Sequence, residues 1–136
     1  MPESITITRT DRQRLGTLLQ AAQAHGMERR EHLLTLEEEL ERARAVEPHE
    51  LSHDVVTMES TVKLRDLDTG EVETYTIVYP ERADATRNRI SVLAPIATAV
   101  LGCRAGEVVE VTVPSGLRRI RVEAVVFQPE RAGEHD

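Results

Sequence analysis

Two glutamates come closest to a metal-binding pattern in this sequence. Glu28 and Glu31 are three residues apart, so on the first turn of a helix both carboxylates would face the same way. Two carboxylates at a projecting tip could hold a divalent cation such as Mg²⁺. Acidic residues also favour a helix N-terminus through the helix dipole, which explains them without a metal. Arg29 and Arg30 lie between them and would weaken cation binding, so no resident metal is expected. The seven glycines form no phosphate-binding loop, and no cofactor is expected.

The other reactive side chains do not combine into a catalytic pattern. Cys103 is the single cysteine, and at a predicted helix end the dipole would raise its pKa rather than lower it. His49 and His53 are four residues apart, but Pro48 argues against one continuous helix through both. Ser115 lacks the GxSxG pattern of a nucleophile elbow. We therefore predict that the protein is not an enzyme.

The composition argues against several kinds of binding partner. The chain has 136 residues and a formal net charge of −7, and its basic runs are no longer than pairs of arginines, so binding of free DNA or RNA is not expected. Aromatic residues make up only 2%, too few for base-stacking platforms. No apolar run approaches the roughly 20 residues that span a bilayer, and the first residues lack a signal-peptide pattern. We expect a reducing, cytoplasmic compartment and no contact with a membrane.

The elements of residues 1–50 are predicted to be two amphipathic helices. Thr10 with Gln13 indicates a capping box for the first helix, and Gly26 is typical of its end. A second helix is expected over about 28–46. Its apolar positions step by three, four and three residues, as in a coiled-coil seam: Leu33, Leu36, Leu40 and Ala43. We predict an antiparallel helical hairpin, a short coiled coil with an arm of about 20–28 Å.

From Val55 onward the apolar residues alternate, which is typical of strands. Strands are expected over 57–67 and 72–79, joined by the turn signal Asp68-Thr69-Gly70. A short strand over 90–93, a helix over 95–101 and a last hairpin of strands 107–113 and 117–127 follow. The predicted fold class is α+β: a helical hairpin followed by a small antiparallel sheet domain with one helix, over residues 51–136.

Several segments of this second domain resemble the C-terminal domain of the Gre transcript-cleavage factors. They are Tyr75–Tyr79, Glu81–Asp84, Ile90–Ala97 and Leu101-Gly102. The resemblance is closer still to the Rnk subgroup, regulators of nucleoside diphosphate kinase. The segments that carry it are His53–Met58, Val78–Pro80 and Gln128–Glu130. Together the segments cover most of residues 55–128, and as a set they are specific.

The resemblance implies an FKBP-like second domain and a protein partner. Members of the family are expected to bind RNA polymerase near the mouth of its secondary channel. The residues that would dock on the polymerase are Ser91, Ala94, Pro95 and Ile96, at a strand-to-helix junction that should be exposed. Ala94 stands where Gre factors usually have a serine before this proline.

Three functions stay open at this point. The first is a non-enzymatic regulator that occupies the channel entrance of RNA polymerase and competes with Gre factors. The second is a transcript cleavage factor, in which Glu28 and Glu31 help to hold a catalytic metal ion in the polymerase. The third is a modulator that acts directly on nucleoside diphosphate kinase, although an effect on that kinase could also be indirect. The arm is about half as long as that of Gre factors, which favours the first.

Overall fold

The computed structural model describes residues 5–24 and 31–130. Within these ranges lie three α-helices: α1 (Arg9–Ala24), α2 (Glu31–Arg42) and α3 (Pro95–Val100). The same ranges contain seven strands: β1 (Thr6–Thr8), β2 (Arg44–Val46), β3 (Thr61–Asp66), β4 (Val72–Val78), β5 (Arg89–Ser91), β6 (Val108–Val113) and β7 (Gly116–Phe127). None of the helices described is long and apolar enough to cross a membrane.

The first helix begins one residue before the predicted capping pair. Thr8 precedes α1, and its Oγ1 accepts a hydrogen bond from the backbone N–H of Asp11 at 3.1 Å, as the hydroxyl of an N-cap residue does. Thr10 already lies inside the helix. The predicted capping box of Thr10 with Gln13 is therefore wrong, because the hydroxyl that caps the helix comes from the threonine two positions earlier.

The second helix ends four residues earlier than predicted. It stops at Arg42, and the segment after it becomes β2, which pairs in parallel with β1. This pairing gives the backbone of residues 44–46 partners outside the helix; the N–H of Arg44, for example, donates to the carbonyl of Ile5 at 2.9 Å. Val46 is buried in a small cluster with Leu51 and Val55. Strand pairing and this cluster thus replace the last predicted helical turn.

The main sheet has five curled strands in the order β5-β4-β3-β7-β6. Three of its neighbouring pairs are antiparallel, as predicted. The fourth pair differs from the predicted antiparallel arrangement: β5 runs parallel to β4, with Ile90 opposite Ile77. A segment with two 3₁₀ turns, Pro80–Arg82 and Ala85–Arg87, separates the two strands and allows the chain to return in the same direction. Register shifts between β3 and β7 interrupt the ladder and favour bending of the long strand.

One apolar core joins the helices to the inner face of the sheet. Leu15 of α1, Leu36 of α2, and Val62, Ile77 and Val122 of the sheet are all fully buried in this cluster. The predicted seam positions Leu33, Leu36 and Leu40 are buried in it as well. The helices and the sheet therefore do not fold around separate cores.

A glycine allows the N-terminal segment to approach the end of α3. Gly102 has a φ of +81°, and a Cβ atom placed on it would lie 2.5 Å from Cβ of Ile5. Both the left-handed backbone and the lack of space require glycine here. Ile5 is buried as a result, directly before β1.

Candidate protein-docking site

The predicted docking residues lie together at the junction of β5 and α3. Ser91 ends β5, and its Oγ accepts a hydrogen bond from the backbone N–H of Leu93 at 3.0 Å. The carbonyl of Ser91 accepts a second bond from the N–H of Ala94 at 2.9 Å. Ala94 is the N-cap residue of α3, and Pro95 occupies its first helical position, where the missing N–H of proline costs nothing. Ser91 therefore stabilises the turn that sets the direction of α3.

The exposure of this junction differs from the prediction. Ser91, Ala94, Pro95 and Ile96 are all half-buried rather than exposed. Ala94 and Ile96 pack against the apolar core, because a six-residue helix lying on a curled sheet can bury most of its circumference. The junction thus offers a partner the outer edges of apolar side chains rather than projecting groups.

The predicted metal ligands lie at the margin of what the structure describes. Glu28 is outside the described residues, and so is the side chain of Glu31, the first residue of α2. Elsewhere, across the described side chains, no three His, Cys, Asp or Glu residues are grouped so as to hold a metal ion. The structure therefore assigns no metal ligand.

The cysteine, the two histidines and the serine considered in the sequence analysis lie in different parts of the fold. Cys103 is buried, and its Sγ donates to the carbonyl of Ala99 at 3.5 Å. Burial, followed by the charges of Glu107 and Glu39, raises the pKa of this thiol to about 12, so it stays protonated and unreactive at neutral pH. His49, His53 and Ser115 are exposed, each in a turn, a bend or a 3₁₀ segment.

A polar cluster at the start of α1 was not predicted. Asp11 is only 8% exposed, and the hydroxyl of Tyr79 donates to its Oδ1 at 3.1 Å. The guanidinium of Arg14 lies over the Tyr79 ring, 4.2 Å from its centroid. Burial is the main cause that raises the pKa of Asp11 to about 6, and the negative charge of Glu130 adds to it.

A signal for this cluster was present in the sequence. Asp11 precedes Leu15 and Leu19 at steps of four, so it occupies a position of the apolar stripe of α1. A carboxylate on that stripe requires a buried hydrogen-bond donor. Tyr79 is one of only three aromatic residues in the chain, but the sequence could not show that it supplies that donor.

Family models match both parts of the chain. Residues 51–127 match the model for the C-terminal domain of the GreA/GreB transcription elongation factors, and residues 3–46 match the model for the Rnk N-terminus. A regulator of nucleoside diphosphate kinase from Escherichia coli strain K12 is 37% identical over 133 residues, which are 97% of this chain and 96% of that relative.

Elongation factors are similar as well. A GreA from Nautilia profundicola is 35% identical over 84% of this chain and 74% of its own length. The solved structure of a prokaryotic transcription elongation factor GreA/GreB from Nitrosomonas europaea is 35% identical, with a TM-score of 0.77. That match covers 93% of this chain and 100% of the solved chain, so the arrangement of helices and sheet is shared along nearly the whole length.

Proposed function

Because this chain belongs to the GreA/GreB family of transcription elongation factors, we propose that it regulates transcription by binding RNA polymerase at the mouth of the secondary channel. Bound there, it modulates elongation and competes with Gre factors for the channel entrance. It catalyses no reaction of its own in this role, and it acts in the bacterial cytoplasm. The half-buried junction of Ser91, Ala94, Pro95 and Ile96 is the proposed point of contact.

The observation that carries this proposal concerns the N-terminal third of the chain. Residues 3–46 match the Rnk N-terminus, and in the part of the chain that the structure describes, α1 and α2 have 16 and 12 residues. At ~1.5 Å per residue they are about 24 and 18 Å long. Helices of this length support a factor that occupies the channel entrance rather than one that reaches deep into the enzyme.

A transcript cleavage factor is the first alternative. It would need Glu28 and Glu31 at the polymerase active site, where they would help to hold a metal ion. The resemblance of the sequence to the Gre transcript-cleavage factors favours this activity, whereas the short described helices argue against it.

A direct effect on nucleoside diphosphate kinase is the second alternative. It is favoured by the name of the Escherichia coli relative, with which this chain aligns over nearly its full length. The same name also fits a regulator that changes the amount of the kinase through transcription. Only a binding experiment separates these two meanings.

The test is co-purification of the tagged full-length chain with core RNA polymerase and, in parallel, with purified nucleoside diphosphate kinase. We expect the polymerase to be retained and the kinase to be absent. Addition of a Gre factor should then displace the chain from the polymerase. Retention of the kinase alone would replace the proposal with the direct-modulator alternative.

A further inference from the structure

The solvent face of the main sheet gathers basic residues that are scattered in the sequence. Because alternate residues such as Val62 and Leu64 are buried on the inner face, the residues between them point outward. The outward positions of β3, β5 and β7 carry five cations: Lys63, Arg65, Arg89, Arg119 and Arg121. Two carboxylates, Glu110 and Glu123, share this face. We call these seven residues the basic sheet face.

This concentration of cations contrasts with the net charge of −7 for the whole chain. The sequence shows no basic run there, because residues two apart on one strand, and residues on different strands, become neighbours only in the sheet. The fold thus gathers on one face of the sheet basic residues that are scattered along the sequence.

The cations of the basic sheet face keep capacity for a partner. Glu123 lies between two arginines: it accepts a hydrogen bond from Arg121 and pairs with Nε of Arg65 at 3.2 Å. Arg119 pairs at 3.3 Å with Asp68, in the turn at the rim, through side chains that are both 52% exposed. Lys63 is exposed, and within the described residues its ammonium group has no carboxylate within 4.0 Å. The exposed Arg119–Asp68 pair contributes little stability, so a partner's carboxylates can exchange with Asp68.

Apolar side chains flank the charged centre. In one row across the sheet, Val72 lies beside Arg65, which lies beside Arg121, which lies beside Val108. The two valines are 41% and 50% exposed. Arginine together with exposed apolar area is typical of protein interfaces.

A protein partner fits this face better than a nucleic acid. Phe127, opposite Thr61 at the end of the sheet, is the one exposed aromatic residue among the described side chains of this face, and single-strand binding relies on several such rings.

The face also borders the candidate docking junction. Arg89 and Ser91 alternate with the inward Ile90 on β5, so both lie on the outward side of that edge strand. Val78, the β4 partner of Ser91, is fully buried on this side, so the solvent face ends near Arg89 and Ser91 lies at its margin. A partner seated on the junction would reach Arg89 first.

We propose that the basic sheet face is a docking surface for a carboxylate-rich protein segment of RNA polymerase, adjoining the junction of residues 91–96. This inference rests on the proposed function, since it takes the polymerase as the partner. It adds the chemistry that the polymerase segment must have, and it names Lys63 and Arg119 as the most accessible contacts.

The experiment measures the affinity of the full-length chain for core RNA polymerase at low and high KCl. The test variant, Lys63→Glu/Arg119→Glu, reverses two exposed charges on the face. The matched control, Arg12→Glu/Arg44→Glu, makes the same change in net charge at exposed positions outside the face. We expect the test variant to bind at least about tenfold more weakly at low KCl, with a flatter salt dependence, and the control to bind like the wild type.

The outcomes separate this inference from the proposed function. If the wild type does not bind polymerase, both fail. Wild-type binding with equal affinities for the two variants would overturn the inference alone, because net charge and not the face would then matter. Tighter wild-type binding to single-stranded poly(U) RNA than to polymerase, lost in the test variant, would also overturn it in favour of a nucleic acid. If the test variant does not fold, Lys63→Ala/Arg119→Ala should weaken polymerase binding in the same direction by a smaller factor.

Discussion

The hydroxyl of Tyr79 donates a hydrogen bond to the buried carboxylate of Asp11 at 3.1 Å, across 68 positions of the chain. This bond joins the first turn of α1 to the residue that follows β4. It therefore links the N-terminal helices to the sheet. Thr57, whose Oγ1 donates to Glu130 at 2.7 Å, ties the segment after β7 into the same region.

Removal of this donor should destabilise the fold. Tyr79→Phe keeps the ring under Arg14 but leaves the Asp11 carboxylate without the phenolic hydrogen bond, which should cost about 1.5–3 kcal/mol. The control is Tyr75→Phe, which removes the hydroxyl of a half-buried tyrosine whose hydrogen-bond partner, Glu73, is exposed. Urea denaturation measures the free energy of unfolding of both variants. Equal values for the two would show that the Tyr79–Asp11 bond contributes nothing specific.

The buried carboxylate should also make stability depend on pH. The pKa of Asp11 rises from 3.8 to about 6 on folding, so between these values the unfolded chain has released its proton while the folded chain retains it. The contribution of Asp11 to stability is therefore full below pH ~4 and is lost as the pH rises to about 6, by up to about 3 kcal/mol. Asp11→Asn should abolish this dependence and stabilise the protein at pH 7.

Thermal unfolding of Asp11→Asn and wild type across this pH range gives the measurement. The difference between the two isolates Asp11 from Asp66, Asp84 and Glu123, whose pKa values are lowered by arginine or hydroxyl donors. These three work in the opposite direction, because a lowered pKa gives stability that is lost on acidification. A constant difference between variant and wild type would contradict the assignment of the raised pKa to Asp11.

The apolar seam of α2 supplies a third prediction. Leu40 is buried in the core that joins helices and sheet, and truncation of such a leucine typically costs about 2–5 kcal/mol. Leu40→Ala should therefore lower the melting temperature strongly. Leu34→Ala is the matched control, because Leu34 is on the same helix and 42% exposed. Similar melting temperatures for the two variants would mean that the seam is assigned to the wrong face.

Local patterns predicted the elements better than their ends or their neighbours. The three, four, three spacing of Leu33, Leu36 and Leu40 identified residues that are buried. The end of α2 was missed because β2 exists only through pairing with β1, a contact between distant segments. The parallel placement of β5 was missed for the same reason. Pairing between distant strands leaves no local signal in three-residue segments.

In the candidate docking site, too, the residues could be predicted from the sequence, whereas their surroundings in the fold could not. The residues of the β5–α3 junction could be named from their resemblance to the family, and Pro95 does begin a helix. Their half-burial could not be predicted, because it depends on how α3 lies on the core. The basic sheet face was missed altogether, since neighbours such as Arg65 and Arg121 are brought together by the β3–β7 register.

Docking at the junction supplies a fourth prediction. Ala94→Asp places a carboxylate at the N-cap of α3, where aspartate is a favoured residue, so the helix should persist. The charge should weaken binding to RNA polymerase, because the outer edges of this junction are apolar. The measurement is co-purification with core polymerase, with the melting temperature as a check on folding. Wild-type binding by a folded Ala94→Asp variant would exclude the junction as the contact.

The last prediction concerns transcript cleavage in backtracked elongation complexes. Carboxylates can help to position a metal ion only if they reach the polymerase active site, and a displacement of even ~1 Å can cost about a hundredfold in rate. From the described lengths of α1 and α2, 16 and 12 residues, we predict that Glu28 and Glu31 fall short of it by many times that distance. Arg29 and Arg30 between them would further repel a cation.

The protein alone should therefore leave the RNA of stalled complexes intact in the presence of Mg²⁺. When a Gre factor is present, increasing amounts of the protein should slow the shortening that the Gre factor stimulates, because both compete for one entrance. Glu28→Ala/Glu31→Ala should compete as well as the wild type, since competition depends on docking and not on tip carboxylates. RNA shortening by the wild-type protein alone that disappears in this variant would establish the cleavage factor instead.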